Sequence, residues 1–481
     1  MNKKVLLFVI LIFALLVGFL TSLSDPAQDD SYKFVAIDHY LTNQELVSDI
    51  DSLAKLIEHI HPNPYRFVAK KDFYSQLDSI KGTLPDSMST LNFWRLVDQI
   101  LIQINDAHSY VDDRFVLTDY INKEKLFLPL SAKIQSEKII ITKNEDLEQL
   151  LPEGIEIESI NGKSAEEIIE ALLTHATKET PYLKRLQVSD DFGFYLWKTY
   201  DWESEFKIHF KDKNSATLDS ITLKGIPWEK RKKSSAAERD SFTFKFLNKS
   251  TGYLKITDFN GDEDEILTFY EESFNAMKEA NTTHLIIDFR GHQGGADNYG
   301  EHLAKYIARQ PFRKLSKAYW KITPEFKEAF DRRFVPKGIR WFKPIYLVNE
   351  YSSVFYGAKP NELITVTYKM KKPLPEKERF LGEVYLITDH QTFSAASIFA
   401  EMFKYFKMGK IIGQPTGNLY SFNGFALVNP TLPHSKISFQ VSSVYNIANN
   451  QEQGLQSVEP DIFIDPKDDP NTYILENLIR N

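Results

Sequence analysis

Cysteine is absent from the 481 residues of this chain. That excludes disulfide bonds, a cysteine nucleophile and a lipid-modified N-terminal cysteine, and it suits a compartment where stray thiols would be oxidised. A surplus of positive charge is missing too: the formal net charge is −8, which leaves no whole-chain case for nucleic-acid binding. No internal repeat or low-complexity tract appears. Nor does the chain hold a Walker A loop, a dinucleotide-binding glycine spacing or a Gly-x-Ser-x-Gly elbow. What is left is a 42% apolar chain, long enough for two or three domains that bury their cores without staples.

An apolar run opens the chain. Lys3 and Lys4 precede Val5 to Leu20, sixteen residues. As a helix they span about 24 Å, short of the roughly 30 Å of a bilayer's hydrocarbon core. Ser22-Leu23-Ser24 supplies small residues where a signal peptidase would cut. Residues 1–24 therefore read as a cleaved secretory signal, with a retained membrane anchor as the alternative. Either way the mature body is expected across the cytoplasmic membrane, periplasmic or extracellular, with any membrane contact made through this segment.

Two segments carry chemistry. In the first, Val384-Tyr385-Leu386-Ile387 reads as a buried strand, and Ile398-Phe399-Ala400-Glu401-Met402-Phe403 has the spacing of an amphipathic helix. Ser394 lies on the turn between them, where unpaired amides and the helix dipole favour negative charge. A hydroxyl so placed can attack a carbonyl and have the oxyanion bound beside it. Taken alone, though, the position suits a helix N-cap serine better. In the second segment a buried strand ends in Asp288-Phe289-Arg290, and a turn through Gly291, Gly294 and Gly295 leads into a helix from Tyr299. Adjacent glycines let backbone amides face a ligand. With phosphate motifs absent, an oxyanion hole or a plain tight turn remains.

Together these segments resemble the C-terminal processing, or tail-specific, serine peptidase family, whose relatives include the tricorn protease core. Ile286-Ile287-Asp288-Phe289-Arg290-Gly291 with Gly294-Gly295 is similar to the family's glycine-rich strand end. Thr392-Phe393-Ser394-Ala395-Ala396 and then Ile411-Ile412-Gly413-Gln414-Pro415-Thr416-Gly417 resemble its nucleophile segment and the strand after it. Gly252 to Phe259 resembles the opening strand, Val458 to Ile462 the closing one, and Asp106-Ala107-His108-Ser109-Tyr110 the Asp-Gly-His-Thr segment. The resemblance covers most of residues 45–465, with the motifs in the shared order.

It implies an α/β fold: a layered βα core of the ClpP/crotonase-like type with an N-terminal helical region and a PDZ-like middle domain. After the signal, the expected divisions are 25–120, helical; 121–228, PDZ-like; 229–240, an exposed charged linker; and 241–481, the catalytic peptidase core. Helical spacing runs through Leu46, Ile50, Leu53, Leu56, Ile57 and Ile60, and again from Phe93 to Ile104. Strands are expected at Ile139–Thr142 and Glu156–Ile160, followed by a helix at Ala165–Leu173. Leu151 to Gly162 resembles part of a PDZ domain, a module that binds peptide ends by strand addition. No apolar-Gly-apolar carboxylate loop stands near Leu128-Pro129-Leu130, so a structural insertion that binds nothing is the competing reading. Residues 312–343 carry ten Lys or Arg against three Asp or Glu, interleaved with aromatics including Tyr319, Trp320, Phe326, Phe330, Phe334, Trp341 and Phe342. They read as a lid over the cleft, a contact for an anionic surface, or an amphipathic helical flap with a solvated basic face.

A serine hydroxyl needs a base. Of eleven histidines, His108 lies in a motif that the resemblance connects with catalysis. The processing branch uses a lysine after the nucleophile strand, but the corresponding stretch here is Pro415-Thr416-Gly417-Asn418, and Asn418 cannot take a proton. A tricorn-like histidine arrangement is therefore expected, without the bridging serine, since Ala107 stands in its place. Glu452 is the expected orienting group for His108, with Asp106, Ser109 and Glu459 as competitors. Gly294, Gly295 and Ala395 would donate to the oxyanion. His59 and His61 have no third ligand at metal spacing and read as helix-end residues. No metal and no cofactor is expected. The implied function is a serine endopeptidase with a peptide or protein substrate. A non-proteolytic ligand-binding protein on the same scaffold is the alternative, and an ester hydrolase is a third reading.

Overall fold

The computed structural model describes residues 35–145, 151–211, 218–231, 241–335, 350–425, 427–450 and 456–479. The N-terminal segment expected to be a targeting signal, residues 232–240 of the expected linker, residues 336–343 of the aromatic insertion and Glu452 lie outside the described residues. Among the described residues no helix is long and apolar enough to cross a membrane.

Three helices begin the fold: α1 Asn43–Ile60, α2 Lys70–Gly82 and α3 Thr90–Ile102. Thr42 and Glu45 close a capping box on α1, so two amides of its first turn are satisfied reciprocally. Leu46, Ile50, Leu53, Ile57 and Ile60 fall on one buried stripe, and His61, ahead of Pro62, ends the helix in extended backbone. The middle region follows with β1 Leu130–Gln135, β2 Lys138–Asn144, β3 Glu156–Ile160, α4 Ala165–Leu173, α5 Pro181–Asp190, α6 Phe192–Tyr200, β4 Glu205–Lys211 and β5 Leu218–Lys224. Its strands pair antiparallel in sequence order and enclose a core of their own, including Ala132, Ile141, Ile157, Ile169 and Leu172. A buried ionic knot joins it to α3. Asp98 Oδ1 pairs with Lys198 Nζ at 2.8 Å, and Oδ2 meets His175 Nδ1 at 2.7 Å.

The remaining chain builds a layered sheet from β6 Phe242–Asn248, β7 Thr251–Ile256, α7 Glu263–Glu279, β8 His284–Asp288 and α8 Asp297–Ile307. It continues through β9 Lys317–Ile322, α9 Pro324–Phe334, β10 Glu362–Thr367, β11 Glu383–Thr388, α10 Ala395–Tyr405, β12 Lys410–Gly413, β13 Phe422–Gly424, β14 Val444–Ile447 and β15 Ile462–Phe463. Six strands take the order β6-β7-β8-β11-β12-β15, parallel throughout except for the β6–β7 hairpin. Both faces are covered, as a parallel sheet requires. Leu285, Ile287 and Leu386 pack with α7, α8 and α10, while Ile286, Tyr385 and Ile387 pack with Ile464, Ile474 and Ile479 of the C-terminal segment. The fold is thus mixed α/β.

The aromatic insertion differs from the flap its composition suggested. Residues Lys317–Ile322 form a strand in a second sheet, ordered β10-β9-β14-β13. Ala318, Trp320 and Ile322 turn inward with alternating burial. Trp320, Phe326 and Phe330 join one apolar cluster with Ile50, Leu53 and Ile57 of α1. Burial of the rings, with no helical period across β9, is the physical reason: these aromatics tie the second sheet to the N-terminal helices.

Candidate active site

Parallel pairing sets β8 and β11 side by side, with Asp288 opposite Ile387. Their C-terminal ends therefore release loops at the same sheet edge, the place where open parallel sheets bind ligands. The β8 loop is anchored by Asp288, whose carboxylate receives Tyr253 Oη at 2.7 Å, Arg290 Nη2 at 2.7 Å and Lys255 Nζ at 3.2 Å. Burial alone would raise its pKa; Arg290, Lys255 and Tyr253 outweigh that and hold it below the usual carboxylate value. Beyond it, Gly294 and Gly295 take φ of 104° and 127°, where side chains are strained. The space is as restrictive as the torsion: a Cβ on Gly295 would lie 2.4 Å from the Phe259 carbonyl oxygen, and one on Gly294 2.7 Å from Ser394 Cβ.

The β11 loop ends at Ser394, immediately before α10. Ser394 has φ 54° and ψ −121°, a region non-glycine residues occupy at a cost of about 1–3 kcal/mol. Its hydroxyl makes no capping bond, so the N-cap role that suited it in isolation is not the one it plays. Its N–H instead donates to Asn418 Oδ1 at 2.6 Å. The Gly294 N–H is also occupied, donating to His292 Nδ1 at 3.0 Å. That takes Gly294 out of the expected oxyanion set. Burial draws His292 down to about 3, so its ring is neutral and Nδ1 is free to accept. The amides of Gly295 and Ala395 have no hydrogen-bond partner among the described residues.

His108 reaches this edge from the segment after α3. Its ring stacks on Phe393 at 4.6 Å and on Phe422 at 5.6 Å between ring centres. Neither ring nitrogen makes a hydrogen bond among the described residues, so no direct bond joins His108 to Ser394; the ring stacks instead on Phe393, the residue before Ser394. Catalytic hydrogen bonds often tighten only when substrate is bound. Desolvation pulls His108 down to about 4; the Asp106 carboxylate opposes this and Lys178 adds to it. Asp106 fixes the segment rather than the ring, accepting from the His108 N–H at 2.9 Å, from Ser109 Oγ, and meeting His61 Nε2 at 3.1 Å. Burial would raise Asp106, but His61, His108 and Ser109 keep it well below the carboxylate range. His61 does end α1, and this buried pairing with Asp106 is a role the sequence did not signal. Ser109 is spent on Asp106 and the Ser442 N–H, and Glu459 is exposed. Among the described residues no group of three or more side chains could hold a metal ion.

Three more residues meet here unannounced. Asn418 holds the backbone of Ser394. Lys178 and Glu179, from the turn between α4 and α5, enter the site from the middle region. Lys178 Nζ lies 3.4 Å from the centre of the Phe393 ring. Glu179 Oε2 accepts from the Leu419 N–H at 3.3 Å, and burial, then the charge on Asp106, pushes it up to about 7. A Lys-Glu pair just past a helix end looks like ordinary solvated surface, so no local pattern could have found them. A short strand-to-helix turn with an uncapped, strained serine and two open amides is an acyl-transfer arrangement.

The family model described as peptidase family S41 matches residues 250–464. This span is a peptidase family S41 domain. It makes the chain a serine-type peptidase, and it contains Ser394 and the glycine loop while leaving out His108 and Lys178. Among solved structures, a mutant of CPAF matches with a TM-score of 0.62 at 13% identity, over 91% of this chain and 96% of that one. Mature CPAF complexed with lactacystin matches with a TM-score of 0.59 at 13% identity, over 87% of this chain and 94% of that one. At such identity the likeness is one of fold, and it extends beyond the S41 domain to nearly the whole described chain. No curated protein matches the chain.

Proposed function

We propose that the chain is an exported serine endopeptidase working through an acyl-enzyme on Ser394. One observation carries the reading: Ser394 is held at a strained φ of 54° at the head of α10, with its hydroxyl uncommitted and the open amides of Gly295 and Ala395 beside it. The hydroxyl attacks the peptide carbonyl as His108 takes its proton, and the two amides receive the developing oxyanion. His108 then gives the proton to the leaving amine. Water, deprotonated by the same imidazole, releases the acyl group. Asp106 and His61 hold the His108 segment, and Glu452 remains the proposed orienting group for the ring. The layered sheet is proposed as a ClpP/crotonase-like core within 241–481, the region 121–228 as PDZ-like, and the N-terminal segment as the export signal.

Ser394→Ala tests this directly. Peptide hydrolysis should fall by at least about a thousandfold, since nucleophile and base act as a unit. The melting temperature should stay close to wild type, because the hydroxyl makes no cap bond to lose. A serine-directed fluorophosphonate should label Ser394 in folded wild-type protein. Absence of that adduct would favour the ligand-binding alternative. Lactacystin, found with mature CPAF, is a second probe.

A further inference from the structure

We propose that Lys178 is a specificity residue whose ammonium receives a carboxylate of the peptide substrate beside the scissile bond. The inference rests on the peptidase reading and goes beyond it by naming the charge the site selects. Lys178 Nζ lies 3.4 Å from the centre of the Phe393 ring, and Phe393 both precedes the nucleophile and stacks on His108. The cation is therefore one residue from Ser394 and one ring from the base. It makes no hydrogen bond or ion pair with any described residue.

The carboxylates near it are committed elsewhere. Glu179 turns its side chain to the Leu419 amide, and Asp190 meets His390 Nε2 at 3.3 Å and Gln391 Nε2 at 3.2 Å. Burial draws Lys178 down to about 8 while Glu179 and Asp190 pull it back up, so the ammonium form prevails at neutral pH. Contact with a phenyl face replaces only part of the hydration such a cation has lost. A substrate carboxylate would supply the missing partner through a charge-assisted hydrogen bond. A neutral amide in its place would leave the charge uncompensated, so the site both attracts acids and rejects their isosteres. The carboxylate can come from an Asp or Glu side chain flanking the cut or from the peptide's own C-terminus.

The test uses the full chain and fluorogenic peptides carrying Glu or Gln at each position from two residues before the cut to two after. Each peptide is made as the C-terminal acid and as the amide. One charge-assisted hydrogen bond predicts a kcat/KM ratio of about ten to a hundred between the carboxylate peptide and its neutral isostere. In Lys178→Met and Lys178→Gln that ratio should fall to about one, with melting temperatures showing that both variants are folded. A difference confined to the Glu/Gln pairs identifies a side chain as the source; one confined to the acid/amide pairs identifies the terminus. A wild-type ratio near one, or a ratio preserved in the folded variants, overturns the proposal. Binding of the same peptides to Ser394→Ala, with and without Lys178→Met, is followed by fluorescence anisotropy and needs no hydrolysis. If wild type cleaves nothing, the peptidase reading fails, yet a carboxylate preference in binding that vanishes with Lys178→Met upholds the Lys178 assignment.

Discussion

As the proposed base, His108 is useful only while it is neutral, and its surroundings favour that state. Packed between Phe393 and Phe422 with both nitrogens out of water, it is drawn to about 4 from 6.5. The acid limb of kcat/KM, which reports the free enzyme, should therefore fall near pH 4 to 5 and not at the pH of an ordinary imidazole. An acid limb at 6.5 in a pH–rate profile would contradict this. The linked stability has a definite sign. Between the folded value of about 4 and the unfolded 6.5 the unfolded chain binds the extra proton, so the contribution is full above 6.5 and is lost as pH falls toward 4. Thermal melts should show wild type losing more stability than His108→Ala on acidification from pH 7 to about 4.5. At this scale the sequence was legible in local geometry: it set Ser394 on a turn between a strand and a helix, and Gly295 in the turn between β8 and α8, as the structure has them. Lys178, Glu179 and His61 were not, because each acts through a partner more than forty residues away, as in His61 with Asp106 or Glu179 with Leu419.

The glycine loop shows how an element constrains chemistry. Phe259 donates to the Gly294 carbonyl at 2.7 Å, and Ala296 donates to the Phe259 carbonyl at 2.9 Å, so the loop is laced to the chain leaving β7. This lacing leaves the Gly295 amide with no acceptor among the described residues. Gly295→Ala would place a methyl 2.4 Å from the Phe259 oxygen at a φ of 127°. The loop must shift, and loss of one oxyanion donor costs about a hundredfold or more in rate. We expect kcat to drop by that order while KM changes little, and denaturant melts to show about 1–3 kcal/mol of destabilisation. Unaltered kcat would remove Gly295 from the site. Elements with strong local signals matched their expected bounds: β3 at Glu156–Ile160, and α4 at Ala165–Leu173 with its Ser164–Glu167 capping box. The closing strand, expected over Val458 to Ile462, is only Ile462–Phe463. β9 was missed because its alternation of Lys, Tyr and Trp resembles a basic aromatic surface, and only pairing with β10 and β14 reveals the strand.

At the scale of the whole molecule, regions far apart in sequence share cores and charges. The Asp98 knot holds α3 to the middle region, and its removal leaves Lys198 and His175 buried without a counter-charge. Asp98→Ala should cost about 3–5 kcal/mol, seen as a lowered denaturation midpoint, with the Ser394 chemistry itself untouched in protein that remains folded. A change under about 0.5 kcal/mol would mean the knot is open to water. Deletion of residues 1–24 should give soluble, active protein, since the expected helical region begins its packing at Ile37 and Leu41. Loss of folding in that variant would show that the segment packs on the body. The apolar cluster that unites α1 and α3 with Trp320, Phe355, Phe439 and Val444 has a consequence for biosynthesis. His108 leaves the ribosome long before Ser394, and the strand that pins its segment, Tyr110–Val111, waits for Phe439–Gln440. A nascent chain therefore carries the proposed base without the proposed nucleophile, and then that nucleophile without a seated base, until Phe439–Gln440 has been made. Translation order then works as a safety catch on the proposed chemistry: chains that end before Phe439–Gln440 are expected to be inert toward their neighbours.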